Sequence, residues 1–255
     1  MKTMIIHGDC LDVLKSIPES SVDLALCDLP YGTTQNKWDS VIPLQPMWDA
    51  LRRVLKPGAV FVTTASQPFT SVLVASNLNG FRHEWVWEKN KASGHLNAKR
   101  RPMRAHEDIL VFCDGQPFYR PQMTEGHKPM SSYTRTSNGG CYGQTKRTSG
   151  GGSTTRYPRS VISFPVMNND DPEKWHPTQK PVPLFEYLIM TYSKEGDTVL
   201  DIAMGSGTTG VASINTGRKF IGIEKDFDIF SKAKARLDAT KRGPIQRDIF
   251  QSEAA

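Results

Sequence analysis

A glycine-rich turn between a strand pattern and a helix pattern constrains this chain more than any other feature. Thr198-Val199-Leu200-Asp201-Ile202 reads as a buried strand, Gly205-Ser206-Gly207-Thr208-Thr209-Gly210 follows, and residues 208–215 read as a helix. Lys219-Phe220-Ile221-Gly222-Ile223 is a further strand, closed by Glu224, 19 residues past Gly205. Gly205, Gly207 and Gly210 match G-x-G-x-x-G in a strand–loop–helix context. Such a turn lets the backbone approach a ligand closely at a helix N-terminus. An acid at the end of the next strand can accept hydrogen bonds from ribose hydroxyls. The pattern points to an α/β fold holding a nucleoside-containing cofactor. By itself it leaves open a dinucleotide, S-adenosylmethionine, or glycines that only permit close strand–helix packing.

Chain order narrows the fold. Only one convincing strand follows the turn, so the remaining strands must come from the N-terminal half, and the sheet is expected to be permuted. That half alternates strand and helix patterns. Met4–His7, Val22–Cys27 and Ala59–Thr63 read as strands, and Glu84–Trp87 with Ile109–Phe112 as a closing strand pair. Leu11, Val13, Leu14 and Ile17 suit a short helix; Leu44, Met47, Trp48, Leu51, Val54 and Leu55 suit a longer one, stopped by Lys56-Pro57-Gly58. Residues 67–79 are predicted helical up to Gly80, and further helices are expected on the Leu184–Tyr192 stripe and over 227–239. Alternation of this kind predicts a mainly parallel sheet. The pattern breaks after Gly115, and residues 116–160 are rich in Gly, Ser, Thr, Arg, Lys and Tyr, as in a long irregular loop.

A length of 255 residues suits one large domain or two small ones, and 38% hydrophobic with 23% charged residues is ordinary for a globular chain. No apolar run approaches the ~20 residues that span a bilayer, and the start lacks the apolar core of a signal peptide. Cys10, Cys27, Cys113 and Cys141 are scattered, so neither a disulfide framework nor a metal site is indicated, and a reducing cytosol is expected. The net charge of +6 is uneven. Residues 91–160 hold 12 Lys/Arg against 4 Asp/Glu, and the rest holds 20 against 22. A basic excess confined to one segment suits polyanion binding, with a solvated basic loop as the bland alternative.

Asp28-Leu29-Pro30-Tyr31 closes the Val22–Cys27 strand. A carboxylate, a constrained turn and an aromatic ring at the carboxyl end of a strand lie where open α/β sheets bind ligands. Together they suit a flat base held by its exocyclic amino group, with a ring to stack on it.

These segments jointly resemble the DNA amino-methyltransferases of the permuted beta class. Asp28-Leu29-Pro30-Tyr31 resembles that family's D-P-P-Y motif, and Asp201-Ile202-Ala203-Met204-Gly205-Ser206-Gly207-Thr208-Thr209 its cofactor motif. His176-Pro177-Thr178-Gln179-Lys180-Pro181 resembles its H-P-T-x-K-P segment, and His7-Gly8-Asp9-Cys10-Leu11 its G-D-C-L start. The resemblance runs from about residue 4 to about residue 238. Two departures stand out: Leu29 replaces a proline, and Ala203-Met204 stands where Pro-Phe is usual.

The resemblance implies a Rossmann-like S-adenosylmethionine-dependent methyltransferase fold with permuted motif order, a mostly parallel sheet and helices on both faces. It implies a catalytic half at 1–115, a basic target-recognition insertion at 116–172, a cofactor-binding half at 173–240 and a tail at 241–255. The expected reaction transfers a methyl group from S-adenosylmethionine to adenine N6 in a base flipped out of duplex DNA. Asp28 and the Leu29 carbonyl would accept hydrogen bonds from the amino group, Pro30 would fix the turn, and Tyr31 would stack on the base. The expected cofactor set is Asp9, Cys10, Asp28, Thr178, Lys180, Asp201, Ala203, Met204, Gly205, Ser206, Gly207, Thr208 and Glu224. Glu224 is assigned to the ribose, Asp9 and Cys10 to the adenine end, and Thr178 and Lys180 to the methionine carboxylate. Lys99, Arg100, Arg101, Arg104, Lys146 and Arg147 are expected on DNA phosphates. A homodimer, a cognate restriction endonuclease, and a bacterial cytosolic setting with phage or mobile-element origin are further expectations, with no metal.

Other readings differ in checkable ways. A cytosine-C5 enzyme would need a Pro-Cys nucleophile, and the chain has no such pair. Cytosine-N4 transfer uses the same geometry, though Ser or Asn is more usual there at the position of Asp28. A nicotinamide oxidoreductase rests on the glycine turn alone. A catalytically silent nucleic-acid-binding protein is at odds with Asp28, Tyr31 and the turn being intact. His106-Glu107 carries no catalytic expectation; it is expected only to open a strand.

Overall fold

The computed structural model describes residues 2–32, 39–136, 147–168, 170–171, 174 and 179–241. These divide into two compact units, one through 2–120 and 160–241, the other through 121–159.

The first unit is built on an eight-stranded sheet. In chain order it contains β1 (Thr3–His7), α1 (Cys10–Leu14), β2 (Val22–Asp28), α2 (Leu44–Val54), β3 (Leu55–Ala65), α3 (Phe69–Ser76), β4 (Phe81–Ser93) and β5 (Arg104–Cys113). The second unit supplies β6 (Tyr133–Arg135) and β7 (Thr148–Gly150), an antiparallel pair of its own. The first unit then resumes with β8 (Val161–Ser163), α4 (Val182–Tyr192), β9 (Thr198–Asp201), α5 (Thr208–Asn215), β10 (Lys219–Glu224) and α6 (Phe227–Thr240). The strand order is β1-β10-β9-β2-β3-β5-β4-β8. Neighbours from β1 through β3 pair in parallel, β5 runs antiparallel to both β3 and β4, and β8 is parallel to β4.

The sheet is buried on both faces, and the alternation of strand residues shows how. Ala25 and Cys27 of β2 join one core with Leu14, Met47, Trp48, Leu51 and Phe69 of the first helices. Leu24 and Leu26, one residue out of phase, join the other core with Leu184, Phe185, Leu188 and Tyr192 of α4. A side-chain period of two delivers each strand to two layers of helix. A small third cluster fastens α6 to β10 and α5 through Leu237, Ala233, Phe220 and Val211.

Two differences from the sequence expectation have simple causes. The third strand begins at Leu55 rather than Ala59, so Pro57 and Gly58 lie inside it. Its first residues are largely exposed, and proline is tolerated at the start of a strand. The long basic stretch is also not wholly irregular: β6 pairs with β7, and Thr124 pairs with Arg156. These elements are three residues or fewer and exposed, so they leave no hydrophobic alternation to read.

Candidate active site

The order of the sheet reverses between β9 and β2. From β9 the chain passes through α5 to β10 on one side; from β2 it passes through α2 to β3 on the other. Ligands of open α/β sheets bind outside the carboxyl ends of the strands at such a switch point. Asp201 ends β9 and Asp28 ends β2, with Ala25 in register with Leu200. The two strands are tied there by Thr209, whose hydroxyl donates to Asp201 Oδ2 at 2.5 Å and more weakly to the Leu26 carbonyl at 3.4 Å.

The glycine turn is shaped by backbone and packing needs. Gly207 has φ +78° and caps α5, a left-handed conformation that favours glycine. At Gly210 a Cβ would meet Leu237 Cδ2 at 2.6 Å and a Phe220 ring carbon at 2.7 Å, so only glycine fits where α5 crosses β10 and α6. Among the described residues, a Cβ at Gly205 would meet nothing closer than the Ala203 carbonyl at 3.9 Å. The outer side of the turn is thus open to a ligand and the inner side closed by packing.

Glu224 braces this turn. Its Oε2 accepts from Gly205 N and its Oε1 from Asp226 N, both at 2.9 Å. Each oxygen retains a lone pair for a hydroxyl. Burial raises its pKa, partly countered by these backbone donors. His7 is in register with Glu224, and Gly8 N donates to the Glu224 carbonyl at 2.9 Å. That brings Asp9 and Cys10 beside the same strand ends. Asp9 caps α1 through Leu11 N at 3.0 Å and pairs with Lys225 at 3.0 Å; Lys225 holds its carboxyl below the usual range. Burial, with the Asp9 charge, pushes the Cys10 thiol up to about 11, so it is a thiol rather than a thiolate at neutral pH. Asp201 is buried and accepts from Ala203 N at 3.0 Å; burial raises its pKa to about 7 despite these donors. Met204 and Ser206 are buried, and Thr208 opens α5.

Around Asp28 the side chains converge from distant parts of the chain. Asp28 Oδ1 accepts from the Tyr31 hydroxyl at 3.1 Å and from the Thr64 hydroxyl. Asp28 Oδ2 accepts from Lys180 Nζ at 2.7 Å. Lys180 Nζ also lies 3.5 Å from Glu107 Oε2, and Lys89 pairs with Glu107 Oε1. Burial lowers the Lys180 pKa, but Asp28 and Glu107 more than offset it and the net shift is upward. Burial raises the Glu107 pKa, and Lys180 with Lys89 reverse that to a net lowering. Both groups are therefore charged at neutral pH. Tyr31 stacks on Phe69 with ring centroids 5.5 Å apart and lies 5.7 Å from Lys180 Nζ. Burial and the two carboxylates raise its phenol pKa well above the usual value, so it keeps its proton as a donor. The Leu29 side chain is buried in the core, which fixes the backbone that carries its carbonyl.

The structure thus gathers Asp28, Tyr31 and Lys180 at one strand end and the glycine turn, Asp9, Cys10 and Glu224 at the neighbouring ends. Of the Asp28 cluster, the sequence gives no signal for Thr64 and Lys89, and for Glu107 only the expectation that it opens a strand; the structure places its carboxylate on Lys180 and Lys89 instead. Of the basic residues, Lys99, Arg100 and Arg101 are exposed beyond β4, just after a short 3-10 turn at His95–Asn97. Arg104 instead turns to Ser66 Oγ at 2.7 Å and the Gln67 carbonyl at 3.0 Å. Arg147 is exposed in the second unit. Thr178 and Lys146 lie outside the described residues.

The sequence and the fold both match known proteins. A family model described as DNA methylase, of the N6/N4 type, matches residues 22–235. The chain is 32% identical to the DNA adenine methyltransferase YhdJ of Escherichia coli (strain K12), over 92% of this chain and 82% of that protein. It is 27% identical to the type II methyltransferase M.HpaI of Haemophilus parainfluenzae, over 95% and 76%. Its fold matches the crystal structure of the M1.HpyAVI–SAM complex with a TM-score of 0.64 at 27% identity, covering 92% of this chain and 98% of that one. The fold also matches the cytosine-N4-specific PvuII DNA methyltransferase, with a TM-score of 0.66 at 16% identity. The chain belongs to the N6/N4 DNA methylase family, and is a DNA methyltransferase that uses S-adenosylmethionine.

Proposed function

We propose that this enzyme methylates adenine N6 in duplex DNA, with Asp28 as the residue that engages the amino group. The observation that carries the proposal is the Asp28 carboxylate at the switch point, at the end of the strand that pairs with the one leading into the glycine turn. The likeness to a protein named as an adenine methyltransferase supports adenine over cytosine.

The cofactor suits the turn: an open surface at Gly205, the helix N-terminus behind it, and Glu224 with spare acceptor capacity. Asp9, Cys10, Asp201, Ala203, Met204, Gly205, Ser206, Gly207, Thr208 and Glu224 would hold it, with Thr178; Asp28 and Lys180, also expected in the cofactor set, pair with each other at 2.7 Å and are assigned to the amino-group site instead. S-adenosylmethionine supplies an electrophilic methyl on a sulfonium. Adenine N6 is a weak nucleophile, because its lone pair is delocalised into the ring. Hydrogen bonds from the amino group to the Asp28 carboxylate and the Leu29 carbonyl would draw the nitrogen toward tetrahedral geometry and aim its lone pair. Transfer of that methyl would leave the bonding pair with the sulfonium donor and positive charge on N6. The anionic Asp28 stabilises that charge in a preorganised polar site and takes the departing proton. Flipping the base costs a few kcal/mol, and stacking on Tyr31 would return ~1–3 kcal/mol of it. Lys99, Arg100, Arg101, Lys146 and Arg147 would engage phosphates, whereas Arg104, expected with them, is bound to Ser66 and the Gln67 carbonyl. Homodimer formation, a cognate endonuclease and a cytosolic location go with this reading.

Incubation with labelled S-adenosylmethionine and unmethylated bacterial DNA, followed by digestion to nucleosides, tests it. Label in N6-methyladenosine is expected. Label only in N4-methylcytosine would move the target to cytosine.

A further inference from the structure

Glu107 stands where a strand-opening residue has no need of a buried charge. Asp108, its neighbour on β5, is in register with Ala65, so Glu107 lies at the end of the sheet that carries Asp28 and Thr64. Its carboxyl is nearly enclosed, with 15% of the side chain exposed, between Lys89 and Lys180, themselves 10% and 9% exposed. One oxygen is held by Lys89. Among the described residues the other accepts no hydrogen bond, although Lys180 Nζ lies 3.5 Å away. Lys180 gives its short contact, 2.7 Å, to Asp28 Oδ2. Two acids and two lysines thus form one chain of charges: Asp28, Lys180, Glu107, Lys89.

This arrangement suits the free protein but conflicts with the reaction. Asp28 Oδ1 already accepts two hydroxyls, from Tyr31 and Thr64. An incoming amino group is left with Oδ2, which Lys180 holds. While Lys180 stays there, its ammonium also neutralises the charge that must face N6 as N6 turns positive. Lys180 cannot simply leave, because a buried ammonium without a counter-ion is costly. Glu107 Oε2 offers that counter-ion a short displacement away.

We propose that Lys180 has two seats, Asp28 Oδ2 in the free protein and Glu107 Oε2 once a target base is present, and that Glu107 is the positioning residue that draws Lys180 off the catalytic carboxylate. In the second state Lys89, Glu107 and Lys180 carry one net positive charge among themselves, and Asp28 regains its full negative charge beside the reacting nitrogen. Electrostatic stabilisation of developing charge is strong in such a water-poor site. The inference rests on the functional reading only in needing an exocyclic amino group at Asp28, so it holds for adenine or cytosine alike.

Glu107→Gln preserves the shape of the side chain and removes the second seat. Its kcat on plasmid DNA should fall roughly tenfold or more, while KM for DNA and the cofactor Kd stay within about threefold of wild type. Adding Lys180→Met to that variant removes the competitor for Oδ2, and the double variant should be faster than Glu107→Gln alone. A merely structural Glu107 would instead lower cofactor affinity and Tm together with kcat, with no recovery in the double variant. A kcat for Glu107→Gln within about twofold of wild type, or a double variant no faster than the single, would overturn the exchange. A crystal structure of the wild-type protein with duplex DNA and an unreactive cofactor analogue tests it without any variant. Lys180 Nζ bonded to Glu107 is expected; Lys180 on Asp28 beside a flipped base, or on the analogue's carboxylate, overturns it. Wild-type product analysis in the same assay separates the two claims: no methylated nucleoside sinks the functional reading, whereas normal wild-type transfer with Glu107→Gln unimpaired sinks only the exchange.

Discussion

Lys180 Nζ sits 2.7 Å from Asp28 Oδ2, a contact made across 152 residues of chain. It joins the segment before α4 to the end of β2, and so links the two halves of the permuted fold at the proposed site of chemistry. Each residue lies in a sequence motif of its own, but neither motif shows that the two side chains meet. Their meaning comes from the sheet that brings them together.

Packing around the glycine turn predicts one sharp intolerance. Gly210→Ala places a methyl group within 2.6 Å of Leu237 and 2.7 Å of Phe220. Overpacking of a close-packed core typically costs about 1–3 kcal/mol, so Tm should fall by several degrees. Because α5 carries the turn, the cofactor Kd should rise too. Thermal unfolding and calorimetric titration with S-adenosylmethionine check both.

Asp201 gives a pH dependence whose sign follows from burial. Its carboxyl is raised from 3.8 to about 7 in the folded protein. A raised acid binds more protons folded than unfolded between those values, so its contribution is full below about 4 and is lost as pH rises through about 7. Asp201→Asn cannot ionise. Wild-type Tm should therefore decline relative to that of the variant between about pH 5 and pH 7 and then run parallel to it. Parallel Tm curves across that range would show that Asp201 is not shifted.

The exposed cations beyond β4 predict a salt effect without a chemical one. Replacing Lys99, Arg100 and Arg101 by Ala should weaken DNA binding and make log Kd against log salt shallower by roughly 0.9 for each phosphate no longer neutralised. Cofactor affinity should not change. Fluorescence anisotropy with a labelled duplex at several salt concentrations measures the slope. An unaltered slope would remove these residues from the interface.

Much of the fold was legible because its signals are local. The helix over 208–215 coincides with α5, and the strand pair at Glu84–Trp87 and Ile109–Phe112 falls inside β4 and β5, where Trp85 faces Ile109. Continuous apolar runs mark strands buried on both faces, and glycine marks the turn whatever surrounds it. The short edge strand β8 went unread because three residues, two of them exposed, carry too little pattern. The cluster at Asp28 was only half legible for a different reason. Asp28 and Tyr31 are three residues apart and read as a motif, whereas Thr64, Lys89, Glu107 and Lys180 meet them only through strand order. A buried Glu next to a His at a strand start looks the same in sequence whether it opens a strand or anchors an active-site lysine.

The central claim is that Asp28 engages the amino group that receives the methyl, and Asp28→Ala tests it most directly. Wild type and variant should be compared in one assay with labelled S-adenosylmethionine and unmethylated DNA, with cofactor binding measured by calorimetry on the same samples. The account predicts N6-methyladenosine from the wild type, a rate lower by at least about a hundredfold in the variant, and a cofactor Kd nearly unchanged. Transfer by Asp28→Ala at close to the wild-type rate would contradict it.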